Sequence, residues 1–217
     1  MNVRVLIADD HAVVRQGLRA LIESRTDMRV VGEAADGRMA VRMARDYAPD
    51  VVVMDVTMPD MNGVEATRQL VRNDKRIKVV ALSMHSERRV VIEMLRAGAS
   101  AFVLKEYVFD DLLNAVQSAL AGRRYLSPKL VGIMADDYAR NAVFADPGPA
   151  WVLTAREREV LQLLAEGATM REISMKLHVS MKTIETHRKN VMLKLGTHSI
   201  ASLTKVAIRE GLTSLEL

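Results

Sequence analysis

Val51-Val52-Val53-Met54 is an unbroken apolar run, three of its residues β-branched, and it stops at Asp55. Alternating polarity would mark a strand with one wet face. A continuous run marks a strand covered on both faces, the situation of a parallel sheet flanked by helices. Pro59 and Asn62-Gly63 turn the chain just beyond it. An acid delivered to the carboxyl end of such a strand lies where open α/β sheets bind ligands.

The same grammar repeats along the first 122 residues. Val3 to Ala8 is a short apolar run ending at Asp9-Asp10, and Val14, Leu18, Leu21 and Ile22 then follow helical spacing. Met28–Val31, Lys78–Ser83 and Ala101–Leu104 predict three further strands. The intervening stripes are Ala40, Met43, Ala44 and Tyr47; Val64, Thr67 and Val71; and Val90, Val91, Met94 and Leu95. Leu112, Leu113, Val116 and Leu120 supply a last helix, which closes at Gly122. Five alternations of strand and helix predict an α/β fold, a doubly wound five-stranded parallel sheet over residues 1–122.

Right-handed crossovers bring the ends of parallel strands to one edge. Asp9, Asp10, Asp55, Ser83 and Lys105 all stand at strand ends. Taken singly, Asp55 is a turn former, Ser83 a helix cap and Lys105 a solvated lysine. Together they are a site. Three neighbouring carboxylates repel unless a cation sits among them, and all-oxygen donors suit Mg²⁺ with waters and a phosphate. Lysine is a point charge for a phosphate oxygen and serine a hydroxyl donor. The set matches the needs of a phosphoryl group on Asp55.

Several functions are excluded or disfavoured by composition. The chain has no cysteine, which removes disulfides, thiolate catalysis and Cys-ligated zinc. Its five histidines show no metal-ligand spacing. No apolar run is long enough for a bilayer, and the amino terminus is unlike a secretory signal. A cytoplasmic location is expected, with no membrane partner. Of the net +4 charge, residues 176–194 hold Lys176, Lys182, Arg188, Lys189 and Lys194 against Glu185. This basic stretch fits either an anionic partner or a solvated helix face.

Residues 123–150 are expected to form a helical arm, with Pro128 at its first position and Leu130, Ile133 and Met134 inward, and then a linker broken by Asp146-Pro147-Gly148-Pro149. Residues 151–217 predict a second, all-α domain of four helices. Thr154 and Glu157, then Thr169 and Glu172, have capping-box spacing, and Ser180 caps a third helix with Ile184, Val191 and Leu195 inward. A short turn at His178-Val179 before a basic helix is the helix-turn-helix plan. Lys182, Glu185, Thr186 and Lys189 form one polar stripe flanked by Arg188, and His187 reads as packing or as a neutral donor near phosphate. A fourth helix starts near Ser199.

On Leu6-Ile7-Ala8-Asp9-Asp10-His11, Met54-Asp55-Val56-Thr57-Met58-Pro59, Ala81-Leu82-Ser83 and Leu104-Lys105, residues 1–122 resemble the flavodoxin-like receiver domain of two-component response regulators. Residues 151–217 resemble the LuxR-type helix-turn-helix domain, on Leu153-Thr154-Ala155-Arg156-Glu157, Glu172-Ile173-Ser174, Ser180 to His187 and Lys194-Leu195-Gly196. The combination is similar to the NarL/FixJ type. The resemblance implies that Asp55 accepts a phosphoryl group from a sensor histidine kinase. It places Mg²⁺ on Asp9, Asp10, Asp55 and the backbone carbonyl of Thr57. It makes Ser83 and Phe102 a switch pair beside Lys105. It sets Lys182, Glu185, Thr186 and Lys189 against base edges of double-stranded DNA, with Arg188 on phosphate. The fourth helix of the family supports dimerisation, which points to Leu203, Val206 and Ile208, although burial within one subunit accounts for the same residues.

The expected function is therefore a transcription regulator whose phosphorylation favours homodimerisation and operator binding. It is not an enzyme beyond self-phosphorylation from small phosphodonors and self-dephosphorylation. Two rival functions compete with this one. A phosphohydrolase working through an aspartyl-phosphate uses Asp-x-Asp, and here Thr57 stands where the second acid belongs. A receiver that serves as an interaction module without being phosphorylated does not need the intact acidic pocket.

Overall fold

The computed structural model describes residues 2–84, 86–140, 153–197 and 199–213, with the backbone alone for 136–140. The chain divides into two compact units that meet in sequence at Phe144 and Ala145. The expected break at Asp146-Pro147-Gly148-Pro149 lies outside the described residues.

In the first unit, strands β1 (Val3–Ala8), β2 (Met28–Ala34), β3 (Val51–Asp55), β4 (Lys78–Ser83) and β5 (Ala101–Leu104) alternate with helices. The helices are α1 (Ala12–Glu23), α2 (Gly37–Tyr47), α3 (Gly63–Asn73), α4 (Arg88–Ala97) and α5 (Val108–Leu120). The sheet order is β2-β1-β3-β4-β5-β6, all pairs parallel. The expected five strands are six. The added strand, β6 (Tyr125–Leu126), is two residues long and pairs with the edge of β5. So short a strand has no side-chain period for a sequence pattern to show.

Val51, Val52, Val53 and Met54 are all fully buried, as expected for a central strand covered on both faces. Burying each such side chain stabilises the fold by about 1.5–3 kcal/mol before conformational entropy is set against it. Under one face, Val5, Ile7, Val53 and Leu82 pack with Leu18 and Ile22 of α1 and Leu112 and Val116 of α5. Two expected inward residues are not inward: Tyr47 and Leu120 sit at the last positions of α2 and α5 and are exposed. At a helix end the stripe runs past the edge of the sheet.

After β6 the chain enters α6 (Pro128–Arg140), with Leu130 fully buried. The second unit holds α7 (Ala155–Ala165), α8 (Met170–Leu177), α9 (Met181–Leu195) and α10 (Ile200–Arg209). Its core is Val160, Leu161, Leu164, Ile173, Ile184, Val191, Leu203 and Ala207, among others. Both capping boxes form, with Thr154 N–H donating to Glu157 Oε2 and Thr169 N–H to Glu172 Oε2, each at 2.7 Å. Between α8 and α9, His178 takes the left-handed conformation, at φ 52° and ψ 43°, and makes the tight turn without glycine. No helix among the described residues is long and apolar enough to cross a membrane.

Candidate functional site

The sheet gathers the expected strand-end residues. Asp9 follows β1, Asp55 ends β3, Ser83 ends β4 and Lys105 follows β5. The Lys105 ammonium lies 2.8 Å from Asp55 Oδ2 and 2.7 Å from Asp9 Oδ2. It bridges two carboxylates that are almost wholly buried. Asp55 Oδ2 accepts directly from Lys105 Nζ, while Oδ1 accepts from Thr57 N–H at a long 3.4 Å. His11 N–H donates to Asp9 Oδ1 at 2.9 Å, which ties the loop after β1 to the site.

Electrostatics set the character of the pocket. Burial pushes the Asp55 carboxyl up to about 7, the charge of Asp9 adds to that, and Lys105 opposes it. Burial pulls Lys105 down, but the neighbouring carboxylates of Asp55 and Asp9 outweigh it, so the ammonium is held above its ordinary range. The lysine therefore stays charged, and the site is short of positive charge for three acids.

One ligand atom from each of Asp9, Asp10, His11 and Asp55 lies within 4.8 Å of the others. The carboxylates are hard oxygen donors suited to a small divalent ion. Asp9 Oδ2 is buried without a hydrogen bond of good direction, since Lys105 approaches it as a charge off the bonding axis. A buried carboxylate oxygen in that position fits a cation. His11 was not singled out by sequence reasoning, because no histidine spacing draws attention to it. Its signal was adjacency to Asp9-Asp10. It is half exposed, with Nδ1 at 2.8 Å from Asp10 Oδ1.

Ser83 and Phe102 are buried, Phe102 completely. Ser83 stands opposite Leu104 in the β4–β5 ladder, and Phe102 lies two residues earlier on the same side of β5. Thr57 is half-buried on the loop leaving β3.

In the second unit, Lys182, Glu185, Thr186 and Lys189 are exposed along α9, and Ser180 Oγ caps the helix by accepting from Thr183 N–H at 3.1 Å. Thr186 Oγ1 donates to the Lys182 carbonyl at 3.0 Å, so its hydroxyl proton is already used within the helix. Arg188 is half-buried, and its buried Nε has no hydrogen-bond partner. Lys194 belongs to another task. Its Nζ lies 2.6 Å from Glu157 Oε2 in the first turn of α7. Arg156, one residue earlier, donates to the Leu177 carbonyl at the end of α8. The first turn of α7 thus holds both helices of the helix-turn-helix.

The three residues expected at a dimer seam differ in burial. Leu203 is fully buried in the core of its own unit and Val206 packs partly against that core, which leaves Ile208 the most available of the three. Spacing alone could not separate an inward from an outward apolar face on α10. Ile200, at the start of that helix, is exposed.

Comparison with known proteins agrees with both halves. Residues 5–117 match the model of the response regulator receiver domain, and residues 151–207 that of bacterial regulatory proteins of the luxR family. The response regulator UvrY of Escherichia coli K12 is 34% identical over 214 residues, 99% of this chain and 97% of the relative. The transcriptional regulatory protein LiaR of Bacillus subtilis is 36% identical over 206 residues, 95% of each. Among solved structures, RcsB of Salmonella enterica serovar Typhimurium, bound to promoter rprA in the presence of phosphomimetic BeF3⁻, aligns with a TM-score of 0.63 at 27% identity, covering 95% of this chain and 98% of that one. A receiver unit with an acidic strand-end pocket, followed by a helix-turn-helix unit, places this chain in the family of DNA-binding transcriptional response regulators of the NarL/FixJ type.

Proposed function

We propose that Asp55 is the phosphoacceptor through which a sensor histidine kinase controls this regulator. A carboxylate oxygen of Asp55 forms the new P–O bond as the P–N bond to the kinase imidazole breaks, and the departing imidazole nitrogen takes up a proton. Lys105 then exchanges its contact with Asp55 for one with a phosphoryl oxygen, and the Ser83 hydroxyl donates to another. Asp9, Asp10, Asp55 and the Thr57 carbonyl are the residues that would hold Mg²⁺. When bound, the ion supplies positive charge that offsets the negative charge of the carboxylates and phosphoryl oxygens. The observation that carries this reading is the bridge of Lys105 across buried Asp9 and Asp55, 2.7 and 2.8 Å away.

Phosphorylation favours an active receiver state, in which Ser83 moves toward the phosphate and Phe102 repacks into the space it leaves. Moving such an equilibrium from 1:99 to 99:1 takes about 5.5 kcal/mol of differential stabilisation. Charge-assisted contacts to one buried phosphoryl group are of that order. The active form is a homodimer that binds its operator through α9, with Lys182, Glu185, Thr186 and Lys189 toward base edges and Arg188 toward phosphate.

The test is direct labelling. Acetyl phosphate with Mg²⁺ adds one phosphoryl group to the wild-type chain, detected by intact mass, and Asp55→Asn abolishes the addition. Equal labelling of both proteins would overturn the assignment. Chromatography with light scattering then reports whether the labelled form doubles in mass.

A further inference from the structure

Ser127 is fully buried between the receiver sheet and α6, and it holds both. Its N–H donates to the Phe102 carbonyl at 3.0 Å, and its Oγ accepts from Leu104 N–H at 3.3 Å. Its carbonyl accepts from Leu130 and Val131 N–H, at 2.8 and 3.1 Å, as the opening turn of α6. One residue therefore closes the last rung of the sheet and begins the helix that leaves it.

The geometry has a local cause. The β5–β6 ladder pairs Phe102 with Leu126 and then stops, because the chain turns into a helix at Pro128. The buried Leu104 N–H would lose its acceptor there, and buried backbone donors do not stay unpaired without penalty. The Ser127 hydroxyl stands in for the missing carbonyl. Neighbouring bonds fix the same segment: Tyr125 N–H donates to the Ser100 carbonyl at 3.2 Å, and Arg124 Nη1 to the Ala99 carbonyl at 2.9 Å. Tyr125 Oη donates to Asp111 Oδ1 on α5 at 2.8 Å.

Leu104 is the residue before Lys105, and Phe102 is the aromatic of the expected switch. We infer that Ser127 is the coupling residue that passes a change at Lys105 and Phe102 into α6, and so toward the second unit. This rests on the phosphoacceptor reading of Asp55. When Lys105 leaves Asp55 for a phosphoryl oxygen, the end of β5 shifts with its backbone. The Leu104 N–H then carries Ser127 with it, or loses that hydroxyl as its acceptor. Moving Ser127 moves the carbonyl on which the first turn of α6 is built. Transmission here runs through main-chain bonds and one hydroxyl. Ser127 touches neither phosphate nor DNA, so it is a positioning residue.

The experiment uses the full chain, acetyl phosphate with Mg²⁺, and a DNA duplex selected from a random pool by the phosphorylated wild type. Ser127→Ala removes the hydroxyl, and Ser127→Thr keeps it. The wild type and both variants should label at Asp55 to the same extent. In Ser127→Ala the gain in DNA affinity on phosphorylation should fall by about tenfold, within the range one coupling contact carries, and Ser127→Thr should restore it. An undiminished gain in Ser127→Ala overturns the inference. So does loss of labelling in Ser127→Ala alone, which would put Ser127 in service of the acceptor rather than of the output. If the wild type does not label, the phosphoacceptor reading fails and the inference with it. Should Ser127→Ala not fold, amide exchange on the wild type decides. Phosphorylation must then change protection at Leu104 and in residues 130–133 together, and a change at Leu104 alone overturns the coupling.

Discussion

A side-chain carbon placed on Gly63 would lie 2.0 Å from the carbonyl oxygen of Asp55. The same atom would meet the Asp55 carbonyl carbon at 2.9 Å and Val56 Cα at 3.0 Å, so every nearby obstacle is backbone. Gly63 N–H also donates to the Val56 carbonyl at 2.8 Å, and Asn62 caps α3 by accepting from Glu65 N–H at 3.0 Å. The start of α3 is thus pressed against the end of β3, and the loop after Asp55 is fixed by backbone contact together with the Asn62 cap. Gly63→Ala must push helix and strand apart. It should destabilise the first unit by about 1–3 kcal/mol, as overpacking of a tight site does, and slow labelling by acetyl phosphate. Thermal unfolding and the labelling rate check this, and wild-type values for both would show that the loop yields freely.

Asp55 gives the receiver a pH dependence whose sign follows from its raised titration point. Its carboxyl is pushed up to about 7, whereas an unfolded aspartate titrates near 3.8. Between those values the folded state binds the proton and the unfolded state does not. Stability contributed by this group is therefore full at low pH and is lost as pH rises through that window. Asp55→Asn removes the loss. Without divalent cations, the variant should gain on the wild type by roughly 1–4 kcal/mol between pH 5 and pH 8. Mg²⁺ should recover much of the difference for the wild type alone. Urea unfolding at both pH values, with and without Mg²⁺, measures it, and parallel curves for the two proteins would contradict it.

Much of this was readable in the chain because burial on both faces writes itself as a continuous apolar run. Val51 to Met54 carried that signal, and an acid at the end of such a run located the site. What the sequence could not show is what arises only from packing. β6 is too short for periodicity, yet its pairing with β5 places Ser127 beneath Leu104. His11 joins the acidic group through a loop that nothing in its spacing advertises. Leu203 and Ile208 are equally apolar, and only the surrounding helices decide that Leu203 is core. Lys194 belongs to the basic stretch in sequence, but in the fold its Nζ lies 2.6 Å from Glu157 Oε2.

Ala48 offers a test of backbone strain away from the site. It ends α2 in the left-handed conformation, at φ 39° and ψ 64°, immediately before Pro49, while its N–H donates to the Ala44 carbonyl at 3.0 Å. The methyl group in that conformation costs about 1–2 kcal/mol. Glycine avoids it, at an offset of roughly 0.4–1 kcal/mol from a freer unfolded chain. Ala48→Gly should raise stability by about 0.5–1 kcal/mol on that balance, with labelling and DNA affinity unchanged. A lower melting temperature would mean the surrounding loop already accommodates the methyl.

The lysines of α9 should separate by their salt dependence. Lys182 and Lys189 are exposed on the outer stripe, whereas Lys194 is engaged with Glu157. A cation that neutralises a phosphate releases counterions, so its loss lowers the slope of log affinity against log salt by about one. A base-reading lysine instead loses about 1–3 kcal/mol of affinity when truncated, and relaxes preference at one position. Lys182→Ala should therefore weaken binding to the selected duplex and blur its sequence preference. Arg188→Ala should mainly lower the salt slope. Lys194→Ala should leave that slope as it is and lower thermal stability, because it frees the buried Glu157 carboxylate at the start of α7. A reduced slope for Lys194→Ala would mean that this lysine leaves Glu157 for the DNA backbone in the complex.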